Sequence, residues 1–324
     1  MRYRDFGRTG WKVSEIAFGA WQIGGDWGQV NDQESIDTLL YAFENGINFV
    51  DTAELYGAGH SEAVIGKALR KWRGPKIYVA TKVQPLRWPD ADDDAPAMRG
   101  RFPRWYLREC AEQSLRRLGV ECLDLFQLHT WMRDGLLSLD WLETLNELRI
   151  EGKIDKIGVS LRDFRPEEGI ELARFGLVDS IQVIHNLFEQ RPRQQLFPMG
   201  EASETAFIAR VPLDSGSLVG NWTADTYSGW TPGSVPHQMF RGERFGETLA
   251  RAEALKQVCT RYYPTLAEAA MRYVLSSPQV AAVIPGMKSR AEVDMNVIYS
   301  GGTAFPPELL EQLQSHIWIR NYYH

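Results

Sequence analysis

The sequence has little cysteine, no long apolar run and a deficit of positive charge. Its three cysteines, Cys110, Cys122 and Cys259, are odd in number and form no CxxC pair. They argue against a disulfide framework and read as reduced thiols of a cytoplasmic protein. No window approaches the apolar length needed to cross a bilayer, so no membrane partner is expected. Met1-Arg2-Tyr3-Arg4-Asp5 lacks the apolar stretch of a signal peptide. Lys and Arg number 36 against 42 Asp and Glu, a formal net charge of −6, which argues against nucleic acid as a partner. No GxGxxG follows a first strand, so a Rossmann domain is not indicated. The acidic run Asp92-Asp93-Asp94 has no ligands at regular spacing nearby. It reads as a solvated loop tip, and no metal site is expected.

What is present is an ordinary globular composition, 44% hydrophobic and 24% charged, in 324 residues. Strand-like runs fall at 16–18, 47–50, 77–81, 123–128, 154–159, 179–184, 205–211 and 280–284. Helical patterns at 31–45, 61–71, 105–118, 138–150, 166–175, 190–202, 246–261 and 265–276 follow them. This eightfold alternation predicts an α/β fold, a single (β/α)8 TIM barrel domain over residues 1–324. Residues 1–15 suggest a β-hairpin around Gly7-Arg8-Thr9-Gly10. Two long segments, 83–104 and 214–245, break the rhythm and read as loops over the carboxyl ends of the strands.

The stretch Gly46-Ile47-Asn48-Phe49-Val50-Asp51-Thr52-Ala53-Glu54-Leu55-Tyr56-Gly57 organises the chain. A helix stops at Gly46, a short β-rich strand follows, and Asp51 sits at that strand's carboxyl end, where barrels keep their chemistry. Tyr56 lies five residues on. Two later strands run into Lys82 and His129. Taken singly, Asp51 reads equally as a turn residue, Tyr56 as a packed aromatic, and Lys82 and His129 as rim residues. Together, Asp, Tyr, Lys and His at neighbouring loop positions form a proton-delivery set.

The order Asp51, Tyr56, Lys82, His129 resembles the catalytic tetrad of the aldo-keto reductases. The text around it, Asp51 to Gly57 with Ser61-Glu62 and Ile65-Gly66, resembles that family's signature. The likeness runs from Phe6-Gly7-Arg8-Thr9-Gly10 to Ile284-Pro285-Gly286 and Asn296. It implies reduction of an aldehyde, ketone or sugar carbonyl to an alcohol by hydride transfer. Tyr56 would be the general acid, with Lys82 lowering its pKa, Asp51 holding Lys82 and His129 orienting the carbonyl.

The resemblance also implies a dinucleotide extended across the barrel top, beginning at Gly19, Ala20 and Trp21. Ser160 and Gln182 would hold the nicotinamide amide. Val211, Pro212 and Leu213 with Ser215, Gly216 and Leu218 would wrap the pyrophosphate. Pro285, Gly286 and Asn296 would border the adenosine. Lys288 and Arg290 stand where a 2′-phosphate would lie, which suggests NADP(H) over NAD(H).

Four positions depart from the family pattern: Leu161 for Asn, His185 for Tyr, Glu292 for Gln or Arg, and Arg210 for an aromatic against the nicotinamide. His185 reads as a satisfied core or rim histidine. Arg210 either stacks on the nicotinamide or turns aside to a carboxylate such as Asp214. Trp21, Trp27, Trp88, Trp105, Trp131, Trp222 and Trp230 are expected in loops on or near the top face, some lining the pocket. Such walls suit sugars, aryl aldehydes and fused-ring ketones alike, so the substrate and the oligomeric state stay open. Two rival readings also stay open: a Schiff-base lyase using Lys82, and a non-catalytic NADP(H)-sensing subunit like the potassium-channel β-subunits of the family.

Overall fold

The computed structural model describes residues 1–28, 30–90, 93–302 and 304–323. Asp92, first of the acidic run, lies outside them. An antiparallel hairpin of β1 (Tyr3–Asp5) and β2 (Lys12–Ser14) opens the chain and turns through Gly10 at φ 78°. Its apolar residues close the amino-terminal mouth of the barrel. Trp11 stacks on Tyr78 at 4.5 Å, and Phe6 packs on Phe49 at 5.3 Å.

Eight parallel strands follow: β3 (Phe18–Gly19), β4 (Phe49–Asp51), β5 (Tyr78–Val83), β6 (Leu123–Leu128), β7 (Ile154–Ser160), β8 (Ser180–Ile184), β9 (Ala206–Arg210) and β10 (Val280–Ile284). They pair in sequence order, and the ring closes through bridges between Ile16 and Val283 and between Gly19 and Gly286. The core wraps both faces of this ring because crossover helices cover the outside while small and apolar side chains fill the inside.

The helices start and stop where local chemistry dictates. In α1 (Asp32–Glu44) the cap residue Asn31 accepts from the Gln33 and Glu34 amides, and the chain then turns through Gly46 at φ 87°. Next come α2 (His60–Lys71), α3 (Arg104–Leu118), which ends on left-handed Gly119, and α4 (Asp140–Ile150). The 166–175 pattern is a 3-10 turn from Pro166 to Gly169 leading into α5 (Ile170–Phe175).

The 190–202 pattern is not one helix. Pro192 and Pro198, which lack an N–H, split it into a π-turn over Pro192–Leu196 and a 3-10 turn over Phe197–Gly200. Within the long 214–245 segment lies α6 (Val235–Met239), followed by α7 (Glu243–Cys259) and α8 (Leu266–Leu275). Beyond β10 come α9 (Arg290–Val297) and α10 (Pro307–Leu313).

The expected ring of tryptophans is only partly realised. Trp222 and Trp230 pack with Phe240 and Phe245 into a separate aromatic cluster under the 214–245 segment. Trp105 lies on α3 with 64% of its surface exposed. Trp131 is fully buried, its indole N–H given to the Glu168 carbonyl. Trp21, Trp27 and Trp88 do reach the top cavity.

His185 is a core residue, fully buried just beyond β8 with ring centroids of Phe197 and Tyr273 each 5.1 Å away. Nδ1 sits 3.1 Å from the Glu189 carbonyl, whereas Nε2 is buried without a partner, so the ring is only half satisfied. Burial drives its pKa down to about 3 against a smaller upward pull from the Glu189 carbonyl. A folded pKa below the unfolded one contributes stability that is present above about pH 6.5 and is lost as pH falls toward the folded value. Within that window the loss is about 1.4 kcal/mol per pH unit, or about 2 kcal/mol between pH 6.5 and 5. Urea unfolding at pH 7 and pH 5 should therefore show wild type losing about 2 kcal/mol more than His185→Gln. Equal losses would mean that the folded imidazole protonates freely.

Candidate active site

The carboxyl ends of β4, β5 and β6 bring Asp51, Lys82 and His129 together, because Asp51 pairs in register with Ala80, and Lys82 with Gln127. Lys82 is completely buried, and its ammonium has three acceptors. They are Asp51 Oδ2 at 2.6 Å, the Thr52 carbonyl at 2.8 Å and Tyr56 Oη at 3.4 Å. Those three use every N–H that the group carries. The other Asp51 oxygen accepts from Gln182 Nε2 at 2.7 Å.

Tyr56 is placed by a turn with Gly57, Ala58 and Gly59 in the left-handed region. A Cβ on Gly57 would meet the Gly24 carbonyl oxygen at 2.1 Å, and one on Gly24 would meet the Tyr56 backbone at 2.8 Å. Glycine at both positions lets the loop after β3 rest directly on the tyrosine. Trp21 from that loop stacks on Tyr56 at 5.9 Å. His129 presents its ring edge to Tyr56 at 5.8 Å, and Trp88 covers it at 5.7 Å.

The electrostatics differ from the sequence expectation at one point. Burial pushes the Tyr56 phenol upward, and the downward pull of Lys82 only partly offsets this, so the net shift is upward. The phenol is therefore kept as an acid. Burial pulls Lys82 down, but Asp51 and the phenol together more than offset it and the ammonium is retained. Burial first, then the charges of Lys82 and Arg210, hold His129 well below the usual histidine value. A neutral imidazole can donate from one nitrogen without adding charge.

These groups stand at one end of a cavity of about 930 Å³, at the upper end of the range for ligand pockets. Of the residues expected to hold a dinucleotide, Gly19, Ala20 and Trp21 line it at the end of β3, Ser160 at the end of β7 and Gln182 in the middle of β8. A Cβ on Gly19 would meet the Pro285 carbonyl at 2.7 Å, which brings Pro285 and Gly286 close to the same wall. Val211, Pro212, Leu213, Ser215 and Gly216 form the far wall. Val211, Asp214 and Ser215 adopt positive φ without being glycine, a local strain of the kind kept at ligand sites.

Four residues expected at the cofactor, Leu218, Asn296, Lys288 and Arg290, do not line this cavity. Leu218 is fully buried and does not line the cavity. Asn296 is likewise buried away from the wall, its Nδ2 given to the Glu292 carbonyl. Lys288 and Arg290 are exposed and off the wall, and the Arg290 guanidinium lies 5.3 Å over the Tyr41 ring. Glu292, by contrast, lines the cavity and accepts the Lys288 amide at 2.6 Å. Arg210 turns aside, but to Asp163 at 2.6 Å rather than to Asp214. Asp214 is already taken by Arg320 and Ser217, each at 2.5 Å.

Sequence reasoning missed the carboxyl-terminal tail, where Ile319, Arg320, Asn321 and Tyr323 line the cavity. Tyr323 Oη lies 3.1 Å from Ser215 Oγ, and the Arg320 guanidinium sits 4.0 Å over Trp318. The aromatic run around Trp318, Tyr322 and Tyr323 was the available signal. The loop after β7, carrying Arg162 to Arg165, was missed as well. Cavity-lining Gln22, His129 and Arg210 each keep a buried polar atom without a partner, and the Gly19–Pro285 approach leaves room only for backbone. Orphaned polar atoms beside a backbone cradle fit a bound polar cofactor.

The profile of the Aldo/keto reductase family matches residues 15–317. Aldo-keto reductase YhdN of Bacillus subtilis is 30% identical over 299 residues, 91% of this chain and 87% of that protein. The NADH-specific methylglyoxal reductase of Escherichia coli is 29% identical, covering 92% of this chain and 93% of its own length. Among solved structures, the holo form of aldo-keto reductase AKR11C1 from Bacillus halodurans superposes with a TM-score of 0.77 at 25% identity, over 100% of both chains. With a buried Asp51–Lys82–Tyr56 cluster beside His129 at the mouth of a closed eight-stranded barrel, the chain belongs to the aldo/keto reductase family.

Proposed function

We propose that this chain is a cytoplasmic NADP(H)-dependent carbonyl reductase acting on a small aldehyde, ketone or sugar. The observation that carries the reading is the Lys82 ammonium, held by Asp51 and Thr52 and pointing its third N–H at the Tyr56 oxygen. Tyr56 protonates the carbonyl oxygen as its carbon receives hydride, and Lys82 stabilises the phenolate left behind. Neutral His129 donates to the same oxygen and fixes its direction. A bound nicotinamide cofactor would supply the hydride. Ser160 and Gln182 would orient it, and residues 211–216 would hold its phosphates. Three unpaired cysteines fit a reducing compartment.

A Schiff-base lyase needs a neutral, reachable amine, and a fully buried ammonium with three acceptors is neither. For the choice of cofactor, the NADP(H) reading rests on the resemblance and on two exposed cations, Lys288 and Arg290, that lie beside the cavity-lining Glu292 in sequence. A second reading, NAD(H), is favoured by the Glu292 carboxylate on the cavity wall, which would repel a 2′-phosphate and accept from a ribose hydroxyl. The relative named as NADH-specific keeps that reading alive.

Tyr56→Phe should reduce NADPH-dependent turnover of a panel of aldehydes and ketones by about 10²–10⁴-fold while leaving cofactor binding nearly unchanged. Turnover within a few-fold of wild type would remove Tyr56 from the acid role. Fluorescence titration separates the two cofactor readings. Under the NADP(H) reading, Lys288→Ala with Arg290→Ala weakens NADPH far more than NADH, by about 1.5–3 kcal/mol per lost charged contact. If instead Glu292→Gln strengthens NADPH selectively and the double alanine variant weakens both cofactors equally, the site is built for NAD(H).

A further inference from the structure

Arg210 ends β9, but its guanidinium leaves that strand. It crosses the end of β8 to the loop after β7, where Nη2 donates to the Leu161 carbonyl at 3.1 Å and to the Asp163 carboxylate at 2.6 Å. Both side chains line the cavity and are only partly exposed, 16% for Arg210 and 22% for Asp163. Nε is buried without a partner among the described residues. Among the described residues a single carboxylate holds one end of the guanidinium, so the two opposite charges border the cavity as a pair.

Arg210 and Asp163 line the same cavity as Tyr56 and His129, so the arginine's charge faces the reacting groups. It pulls down both the Tyr56 phenol and the His129 imidazole, in each case by less than burial shifts them. A carbonyl carbon whose oxygen rests on Tyr56 and His129 lies in the same field. So does the ring that hands over the hydride, since reacting atoms must approach to about 3–3.5 Å. In the reducing direction the carbonyl carbon gains a hydride with its electron pair, and its oxygen takes the Tyr56 proton. The carbonyl is reduced to an alcohol, and the nicotinamide ring is left oxidised with one positive charge. An uncompensated guanidinium would oppose that charge, and an uncompensated carboxylate would favour it.

We propose that Asp163 and Arg210 form a matched pair that sets this site's preference between the oxidised and reduced nicotinamide cofactor. Asp163, a positioning residue acting through Arg210, cancels most of the bias that the arginine alone would impose. The pair replaces the uncharged aromatic expected here with two opposite charges. It makes the balance between binding the two redox states sensitive to either residue. The inference rests on the nicotinamide reading above.

The test is a charge cycle read by binding. Dissociation constants of NADP⁺ and NADPH are measured by fluorescence and calorimetric titration for the full chain, Asp163→Asn, Arg210→Gln, Arg210→Lys and the Asp163→Asn/Arg210→Gln double variant. The ratio of the oxidised to the reduced constant should rise about fivefold in Asp163→Asn and fall about fivefold in Arg210→Gln. Fivefold corresponds to about 1 kcal/mol. The double variant should return to within about twofold of wild type, and Arg210→Lys, which keeps the charge, should stay there too. A purely structural role would weaken both forms together and leave the ratio fixed. Unmoved ratios in both single variants, shifts of the same sign, or Arg210→Lys behaving like Arg210→Gln would each overturn the inference while the nicotinamide reading stands. Wild type that binds neither redox form of NADP(H) nor of NAD(H) would overturn both.

Discussion

The ion pair between Lys82 and Asp51 is the constraint on which the rest of the site depends. A lysine with no exposed surface keeps its charge only where the attraction of close partners offsets the loss of water. Those partners come from far along the chain. Asp51 lies 31 residues before Lys82, and Gln182, which fixes the other Asp51 oxygen, lies 131 residues after Asp51. They meet only if β4, β5 and β8 are strands of one closed ring in the observed register. Breaking such a pair from one side leaves an uncompensated buried charge, at a cost of about 3–5 kcal/mol. The arrangement proposed for proton transfer is therefore also a condition on folding.

Around that fixed centre several arginine–carboxylate pairs line the walls, and two of them bear on the 210–216 segment. Arg320 occupies Asp214 and stacks on Trp318, tying the carboxyl-terminal tail to the strained 211–216 segment. Because Asp214 is used there, Arg210 finds Asp163 instead, and a charged pair borders the reacting end of the cavity. Strain at Val211, Asp214 and Ser215 persists because the tail and Ser217 over-determine that loop. The first pair holds the loop in shape, and the second is the one proposed above to set the local field.

Much of this was legible along the chain. Strand–helix alternation marked eight strands, and two of them, Leu123–Leu128 and Val280–Ile284, begin and end where the pattern placed them. Gly46 and Gly119 end their helices in the left-handed conformation that glycine permits. Where the reading slipped, a specific competing force won. Prolines broke the 190–202 helix. Burial outweighed Lys82 in setting the Tyr56 acidity. Trp222 and Trp230 found partners in their own loop before they could reach the cavity.

The sequence by itself determined the architecture, because period and glycine placement are local properties, and it was the family resemblance that marked Asp51, Tyr56, Lys82 and His129 as a set. Only the tertiary structure decided which charges meet. That Asp163 rather than Asp214 receives Arg210, that Glu292 rather than Lys288 or Arg290 lines the cavity, and that the last residues close one wall are questions of distance between remote segments. Charged side chains pair with whichever opposite charge the fold brings within about 4 Å, and no spacing along the chain encodes that.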